Sequence, residues 1–254
     1  MNSNSVSDSI FIQFLRNRNN IKKIPKKYKL LKYNIFLFGN SFFSLYEDRK
    51  TKKKILFKKR TNLNSLLPEF MILKRIEPYS ENNFTSNVEL YKINNESFGI
   101  KMDFFEHFHH IFDTFSIITK KNRIQIAKNL IRQLKLLHSL KISHNDLKTY
   151  NILVNPKNNE SRIIDFDCAV IFENDDENYL YDIPCYTPGH FTLKPDNFYT
   201  SNQIKKNDMD TLSYILFYYV EGKKGTKKEI QEFKEKYKMN ENQEDKKEKP
   251  KNKE

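Results

Sequence analysis

The sequence predicts an α+β fold in two lobes: a small antiparallel β-sheet with one helix, then a larger and mainly helical part. Three features point there. Leu31, Tyr33, Ile35 and Leu37 alternate with other residues, and short strand-like runs recur through the first hundred positions. Beyond residue 120 the period becomes helical, with Ile124, Ala127, Ile131, Leu134 and His138 along one face. The 254 residues are only 38% hydrophobic and 30% charged, yet 21 Phe and 14 Tyr supply enough apolar bulk for a core.

Taken in order, residues 1–25 are polar and rich in Asn and Ser, an extension with a short apolar group (Phe11, Ile12, Phe14, Leu15) suited to a helix. Residues 26–102 are expected to form the first lobe. Its strands are predicted at Tyr28–Leu37, Phe42–Tyr46 and Lys54–Lys59, the last two joined by the charged turn Glu47–Lys53. A helix is expected at Leu66–Ile76, and a strand pair at Val88–Ile93 and Ser97–Phe104 around Asn94-Asn95-Glu96. Residues 103–238 are expected to form the second lobe. The long helix ends near Leu140 and leads into a polar loop, His144–Asn151, with short strands at Ile152–Val154 and Ser161–Ile164. An irregular acidic segment is expected from Asp165 to about Asn207, then a helix at Met209–Val220 that is apolar nearly all round and therefore buried. Thr226 and Glu229 have the spacing of a capping box, opening a last helix with Ile230, Phe233 and Tyr237 on one face. Met239–Glu254 reads as a solvated, disordered charged tail, and no internal repeat is seen.

Composition excludes several classes. The apolar run Tyr214–Val220 is far too short to span a membrane, and the first 20 residues lack the pattern of a secretory signal. Two cysteines cannot staple a chain of this length, which favours a reducing compartment such as the cytoplasm. The net charge of +13 is concentrated early: residues 1–106 hold 20 Lys and Arg against 10 Asp and Glu, whereas residues 107–222 hold 13 against 14. Such a block can attract nucleic acid or an anionic surface. No stacking signature, zinc finger or helix-turn-helix accompanies it, so solvated lysines on strand edges are the favoured reading and specific nucleic-acid binding is not expected.

The chemistry lies in His144-Asn145-Asp146-Leu147-Lys148-Thr149-Tyr150-Asn151 and in Asp165-Phe166-Asp167, which follows 14 residues after that Asn. A polar turn is the plain alternative. An Asp beside a Lys, with an Asn five positions after the Asp, can orient a hydroxyl and ligate a metal; a second Asp after the next hairpin can join the same metal. Phosphoryl transfer needs such positioning and charge neutralisation more than covalent help.

In these residues the chain resembles eukaryotic-type protein kinases. The family pattern H-R-D-L-K-x-x-N is matched by His144–Asn151, and its D-F-G by Asp165-Phe166-Asp167. Tyr186-Thr187-Pro188-Gly189 is similar to the family's G-T-P-x run, Lys194-Pro195-Asp196 to A-P-E, and Asp208–Gly222 to its central helix. The resemblance implies ATP and Mg²⁺ as cofactors and serine/threonine specificity. It makes Asp146 the catalytic base and Lys148 the neutraliser of the transferring group. It makes Asn151 and Asp165 the metal ligands and Leu153 the adenine floor. His144 and Phe166 become packed residues of an internal hydrophobic column that also takes Leu73, and Asp208 a support beneath the catalytic loop. In the first lobe Ile55-Leu56-Phe57-Lys58 is similar to V-A-I-K, which implies Lys58, with Lys59 as runner-up, on the α- and β-phosphates and Glu69 as its partner. A surface Lys and Glu are the alternative. Met102-Asp103-Phe104-Phe105 resembles the linker between lobes, whose backbone at Met102 and Phe104 would meet adenine.

Five departures stand out. Phe38–Ser44 keeps one glycine, Gly39, of the family's phosphate loop, where glycine lets backbone approach phosphate. Leu56 replaces a small Ala and is expected to crowd adenine. Asn145 replaces an Arg that reads a phosphorylated loop, Asp167 replaces a Gly and is expected to stiffen the hinge, and about 32 residues follow Gly222, too few for the usual terminal helices. His107, His109 and His110 are read as a solvated helix face, because no further ligand completes a metal set nearby. Cys168 and Cys185 are read as structural. Tyr179, Tyr181 and Thr187 are candidate acceptors of phosphate, though Thr187 resembles the family threonine that bonds the catalytic Asp and Lys, which implies an architectural role for it. Three functions compete: an ATP-dependent serine/threonine protein kinase, a pseudokinase that binds partners, and a small-molecule kinase of the choline or aminoglycoside type. The activation-segment match counts against the third. The protein substrate is expected to be a host protein, met in the host cytoplasm, if the gene belongs to an intracellular bacterium or large virus; a protist source fits the composition equally.

Overall fold

A computed structural model describes residues 21–32, 37–38, 41–82, 84–94, 97–172, 178–180 and 198–239. The first lobe is an antiparallel sheet of β1 (Tyr28–Lys32), β2 (Leu37–Phe38), β3 (Ser41–Asp48), β4 (Lys54–Arg60), β5 (Glu89–Lys92) and β6 (Phe98–Asp103). The strand order is β1-β3-β4-β6-β5, with β2 paired to β3. Strand β4 is hydrogen-bonded on both edges, to β3 and to β6, so its register is fixed twice. Ile55 and Phe57 alternate with Leu56 and Lys58, and Phe57 is fully buried. Its ring lies 4.7 Å from Tyr46, 5.8 Å from Tyr91 and 6.1 Å from Tyr28. Each such contact adds about 0.5–1.5 kcal/mol beyond burial, and together they hold one face of the sheet shut. The alternate residues of β4 are thereby presented to the other face.

Helix α1 (Leu63–Ile76) begins three residues before the expected start. The reason is a cap that an apolar pattern does not reveal: the Asn62 side chain accepts from the Asn64 N–H at 2.9 Å. Leu66, Leu67, Ile72, Leu73 and Ile76 are buried, and Glu69 is buried among them. A charged residue in that stripe signals a site rather than a core.

In the second lobe, β7 (His109–His110) precedes α2 (Lys120–Ser139), followed by β8 (Ile142–Ser143), β9 (Ile152–Asn155), β10 (Glu160–Ile163) and β11 (Val170–Ile171). Short β12 (Asn178–Leu180) and β13 (Phe198–Thr200) lead to α3 (Ser201–Glu221) and α4 (Lys227–Lys236). Gln133 of α2 pins the β10 edge by donating to Ser161 O at 2.7 Å and accepting from Ile163 N–H at 3.1 Å. The core runs through Leu130, Leu134 and Leu137 of α2 to Leu212, Leu216 and Val220 of α3. None of the helices described is long and apolar enough to cross a membrane.

Four expectations change. His109 and His110 lie on strand β7, paired with Val154 and Leu153, and not on a helix; three histidines in four residues carry no periodicity from which to tell the two apart. Helix α3 starts at Ser201, inside the stretch read as irregular. There Ile204, fully buried, begins the i, i+4 row continued by Asp208, Leu212, Leu216 and Val220. That helix is also not buried all round, since Tyr218 is exposed. Met239, assigned to the solvated tail, is fully buried. After α4 the Met239 and Lys238 N–H groups return to Lys234 O and Glu235 O, with Lys238 at φ 53°, and this turn folds Met239 back into the core. The α4 capping box is present as expected, Thr226 and Glu229 each bonding the other's backbone. The extension 1–20, Gly39, Cys185, Tyr181, Tyr186–Gly189, Lys194–Asp196 and residues 240–254 lie outside the described residues.

Candidate active site

Because β4 alternates, Leu56, Lys58 and Arg60 point to the face away from Phe57. Lys58 is buried, and its ammonium contacts Glu69 Oε2 at 2.9 Å, Asp165 Oδ1 at 2.8 Å and Asp167 Oδ2 at 2.7 Å. Lys59 points the other way, its ammonium 5.8 Å from the centre of the Tyr46 ring, and burial lowers it to about 8. The register thus puts Lys58, not Lys59, beside Glu69. Burial works to lower Lys58, but Glu69, Asp165 and Asp167 outweigh it and keep the ammonium charged. Burial pushes the Glu69 carboxyl up to about 8; Lys58 opposes this, while Asp167 and Asp165 add to it.

Asp146, Lys148 and Asn151 form a second group. Asp146 Oδ2 accepts from Lys148 Nζ at 2.6 Å and from Asn151 Nδ2 at 3.1 Å. Asn151 Nδ2 also donates to Asp146 O at 2.8 Å. With its nitrogen engaged, the amide keeps its oxygen as the end suited to a hard cation. Asn151 O accepts from Ile164 N–H at 3.0 Å, tying this loop to the residue before Asp165. Asn151 and Asp165 are both oxygen donors, and the Asp165 side chain is 26% exposed, a donor set that fits Mg²⁺.

Asp208 supports the loop from inside the core. Its Oδ2 accepts from Ser143 Oγ at 2.5 Å, His144 N–H at 2.7 Å and His138 Nε2 at 3.3 Å, and its Oδ1 from Asn145 N–H at 2.8 Å. Burial alone would raise this carboxyl, but His138, His144 and Ser143 hold it below the ordinary 3.8. Its stabilising contribution is therefore present above that value and drains away as pH falls through the lowered one. Asp208→Ala is expected to cost about 3–5 kcal/mol, read as a lower urea midpoint at pH 7, with the difference from wild type shrinking in acid. An unchanged midpoint would refute the support role.

His144 is buried, its ring 5.0 Å from Phe166 and its Nε2 3.0 Å from Ile164 O, so it is a packed residue as expected; Leu73 is buried in the same core as Phe166. Asn145 and Asp165 take left-handed backbone, φ 60° and 66°. Leu56 lies directly opposite Met102 across β4 and β6. Met102, Phe104 and Leu153 are all partly exposed. The linker after Met102 is braced: Asp103 pairs with Lys53 at 2.6 Å and accepts from Ser86 N–H at 2.9 Å. Arg162 lies over the Phe105 ring at 4.3 Å and donates to Phe84 O at 3.1 Å. Cys168 takes part in a disulfide, which differs from the reduced state expected of a chain with two cysteines.

Sequence reading missed the pairing of Arg60 with Asp167. Asp167 was expected only to stiffen a hinge; instead its Oδ2 lies 2.7 Å from both Arg60 and Lys58. The available signal was a second cation two residues after Lys58 and a second carboxylate two after Asp165.

An ammonium held by carboxylates of a helix and of a distant loop, and an Asp–Lys–Asn loop braced from the core, make up the candidate site. Residues 46–254 match the family model described as protein kinase domain, and the chain belongs to that family. It is similar to two proteins of Dictyostelium discoideum. One is "Probable serine/threonine-protein kinase ireA", 31% identical over 108 residues, 42% of this chain and 10% of that protein. The other is "Probable serine/threonine-protein kinase mkcE", 32% identical over 125 residues, 48% of this chain and 16% of that protein. The aligned regions thus span a small part of the length of either relative.

Proposed function

We propose that this protein kinase domain transfers the γ-phosphoryl group of ATP to Ser or Thr hydroxyls of a protein substrate, with Mg²⁺. The observation that supports this best is Lys58 bridging Glu69 and Asp165, residues 11 and 107 positions away in the chain. An ammonium so placed suits the α- and β-phosphates, with Glu69 fixing its direction. Asn151 and Asp165 would hold Mg²⁺, which when bound neutralises developing phosphate charge. Asp146 would orient the acceptor hydroxyl and take its proton, and Lys148, bonded to Asp146, would offset charge on the transferring group. Leu56, Met102 and Leu153 would enclose adenine. Glycine freedom at Gly39 belongs to the same proposal.

A second reading, a kinase-shaped binding module, is favoured by Leu56, a bulky residue opposite Met102 across β4 and β6 that would narrow the proposed adenine space. One experiment separates them: ATP affinity and phosphotransfer of wild type, Lys58→Met and Leu56→Ala at one salt concentration. Lys58→Met is expected to lower the rate about 10²–10³-fold, and Leu56→Ala to tighten ATP binding. If no form binds Mg·ATP and Leu56→Ala gains nothing, the binding-module reading replaces the enzyme.

A further inference from the structure

Beyond Lys58 and Glu69, the candidate site contains an ion pair that the proposed phosphoryl-transfer chemistry does not use. The guanidinium of Arg60 is divided between two elements. Its Nη2 contacts Asp167 Oδ2 at 2.7 Å, and its Nη1 donates to the carbonyl of Ser65, in the first turn of α1, at 2.9 Å. Both side chains are largely shielded, 18% exposed for Arg60 and 20% for Asp167. Asp167 lies two residues beyond Asp165, whose left-handed φ of 66° makes its placement dependent on what holds the segment. We propose that Arg60 is a positioning residue: through Asp167 it holds the Asp165 segment to β4 and α1, keeping Lys58, Glu69 and Asp165 assembled before ligand enters. The proposal rests on the kinase reading for its functional meaning.

Charge explains why a second cation is needed. Glu69, Asp165 and Asp167 have carboxylate oxygens within 4.8 Å of one another, a spacing that a metal ion could also bridge. Here the Lys58 ammonium contacts all three. Three carboxyl groups crowd one ammonium in a shielded place, a crowding that adds to the upward push on Glu69, and Arg60 supplies a second cation against the Asp167 carboxylate. When phosphates engage Lys58, Arg60 is the cation that continues to hold Asp167. A guanidinium suits this task because its planar fork serves two acceptors in fixed directions. Burial works to raise Asp167, and Lys58, Glu69 and Arg60 together bring it below the ordinary carboxylate value.

The test uses the full chain as wild type, Arg60→Gln, Asp167→Asn, the double variant and Arg60→Lys. Amide hydrogen exchange of residues 163–172 is read without ligand, and kcat with Mg·ATP. Each single loss is expected to speed that exchange about tenfold, the scale of one charged hydrogen bond, and to lower kcat. The double variant should exchange clearly more slowly than the two single effects combined would predict, because the Arg60–Asp167 contact is already lost in each single. Asp167→Asn also gives up Lys58, and Arg60→Gln also gives up Ser65 O. Arg60→Lys, which keeps the charge but not the fork, should fall between wild type and Arg60→Gln, and this covers a Gln variant that fails to fold. Exchange at wild-type rate in Arg60→Lys and Asp167→Asn, additive effects in the double variant, or a faster enzyme with Asp167→Asn would overturn the proposal. Coupled exchange in a wild type that transfers no phosphate would leave the ion-pair tie standing and overturn the kinase reading instead.

Discussion

An Asp165→Ala protein is expected to lose Mg²⁺-dependent phosphoryl transfer while remaining folded. The carboxylate is one of two oxygen donors assigned to the cation, and a methyl group cannot replace it. Folding should survive because Lys58 keeps Glu69 and Asp167 as partners, so no buried charge is orphaned. The cost to the fold is confined to the left-handed backbone at φ 66°, about 1–2 kcal/mol for Ala. Asp165→Asn avoids most of that strain and should be equally inactive. Transfer is followed across a Mg²⁺ titration, with unfolding midpoints measured in parallel. Wild-type transfer that persists in a metal chelator would remove the assignment.

Asp146→Asn is expected to lower turnover roughly 10²–10⁴-fold, the range of a positioned general base. The amide has nearly the same shape as the carboxylate, but it cannot take the hydroxyl proton. Its contacts argue for a specific effect: Asp146 Oδ2 receives both Lys148 Nζ and Asn151 Nδ2, which fix the carboxylate plane. ATP affinity should change little, because the proposed role puts Asp146 on the acceptor side. Single-turnover rates and nucleotide affinity separate the two quantities. Equal activity in the variant would mean that another group serves as base.

Local pattern carried much of this fold. The short strand-like runs Phe42–Tyr46 and Lys54–Lys59, joined by the charged turn Glu47–Lys53, foretold the paired strands β3 and β4, and Thr226 with Glu229 foretold the α4 start. Short contiguous motifs placed Asp146, Asn151 and Asp165 in one functional set, and the bond from Asn151 Nδ2 to Asp146 draws two of them together. What escaped depended on distance or on single residues. Lys58 and Lys59 differ only in strand register, which the two neighbouring strands decide. Met239 is one apolar residue in a run of Lys, Glu and Asn, too little for any periodicity, and a turn at Lys238 buries it. Arg60 and Asp167 are 107 residues apart, so their pairing exists only once both lobes are built.

The left-handed backbone at Asn145 and Asp165 also governs how these positions can drift in evolution. Asn, Asp and Gly are the residues that enter this region at low cost. A β-branched residue at either place would have to be compensated before the loop could form. Asn145 further spends its side chain on Cys168 O, at 3.1 Å, so a Gly there would keep the turn but lose the tie. In a library randomised at both codons and selected for folding alone, position 145 should therefore return mostly Asn, and position 165 a mixture of Asp, Asn and Gly. Selection for phosphoryl transfer should narrow position 165 to Asp.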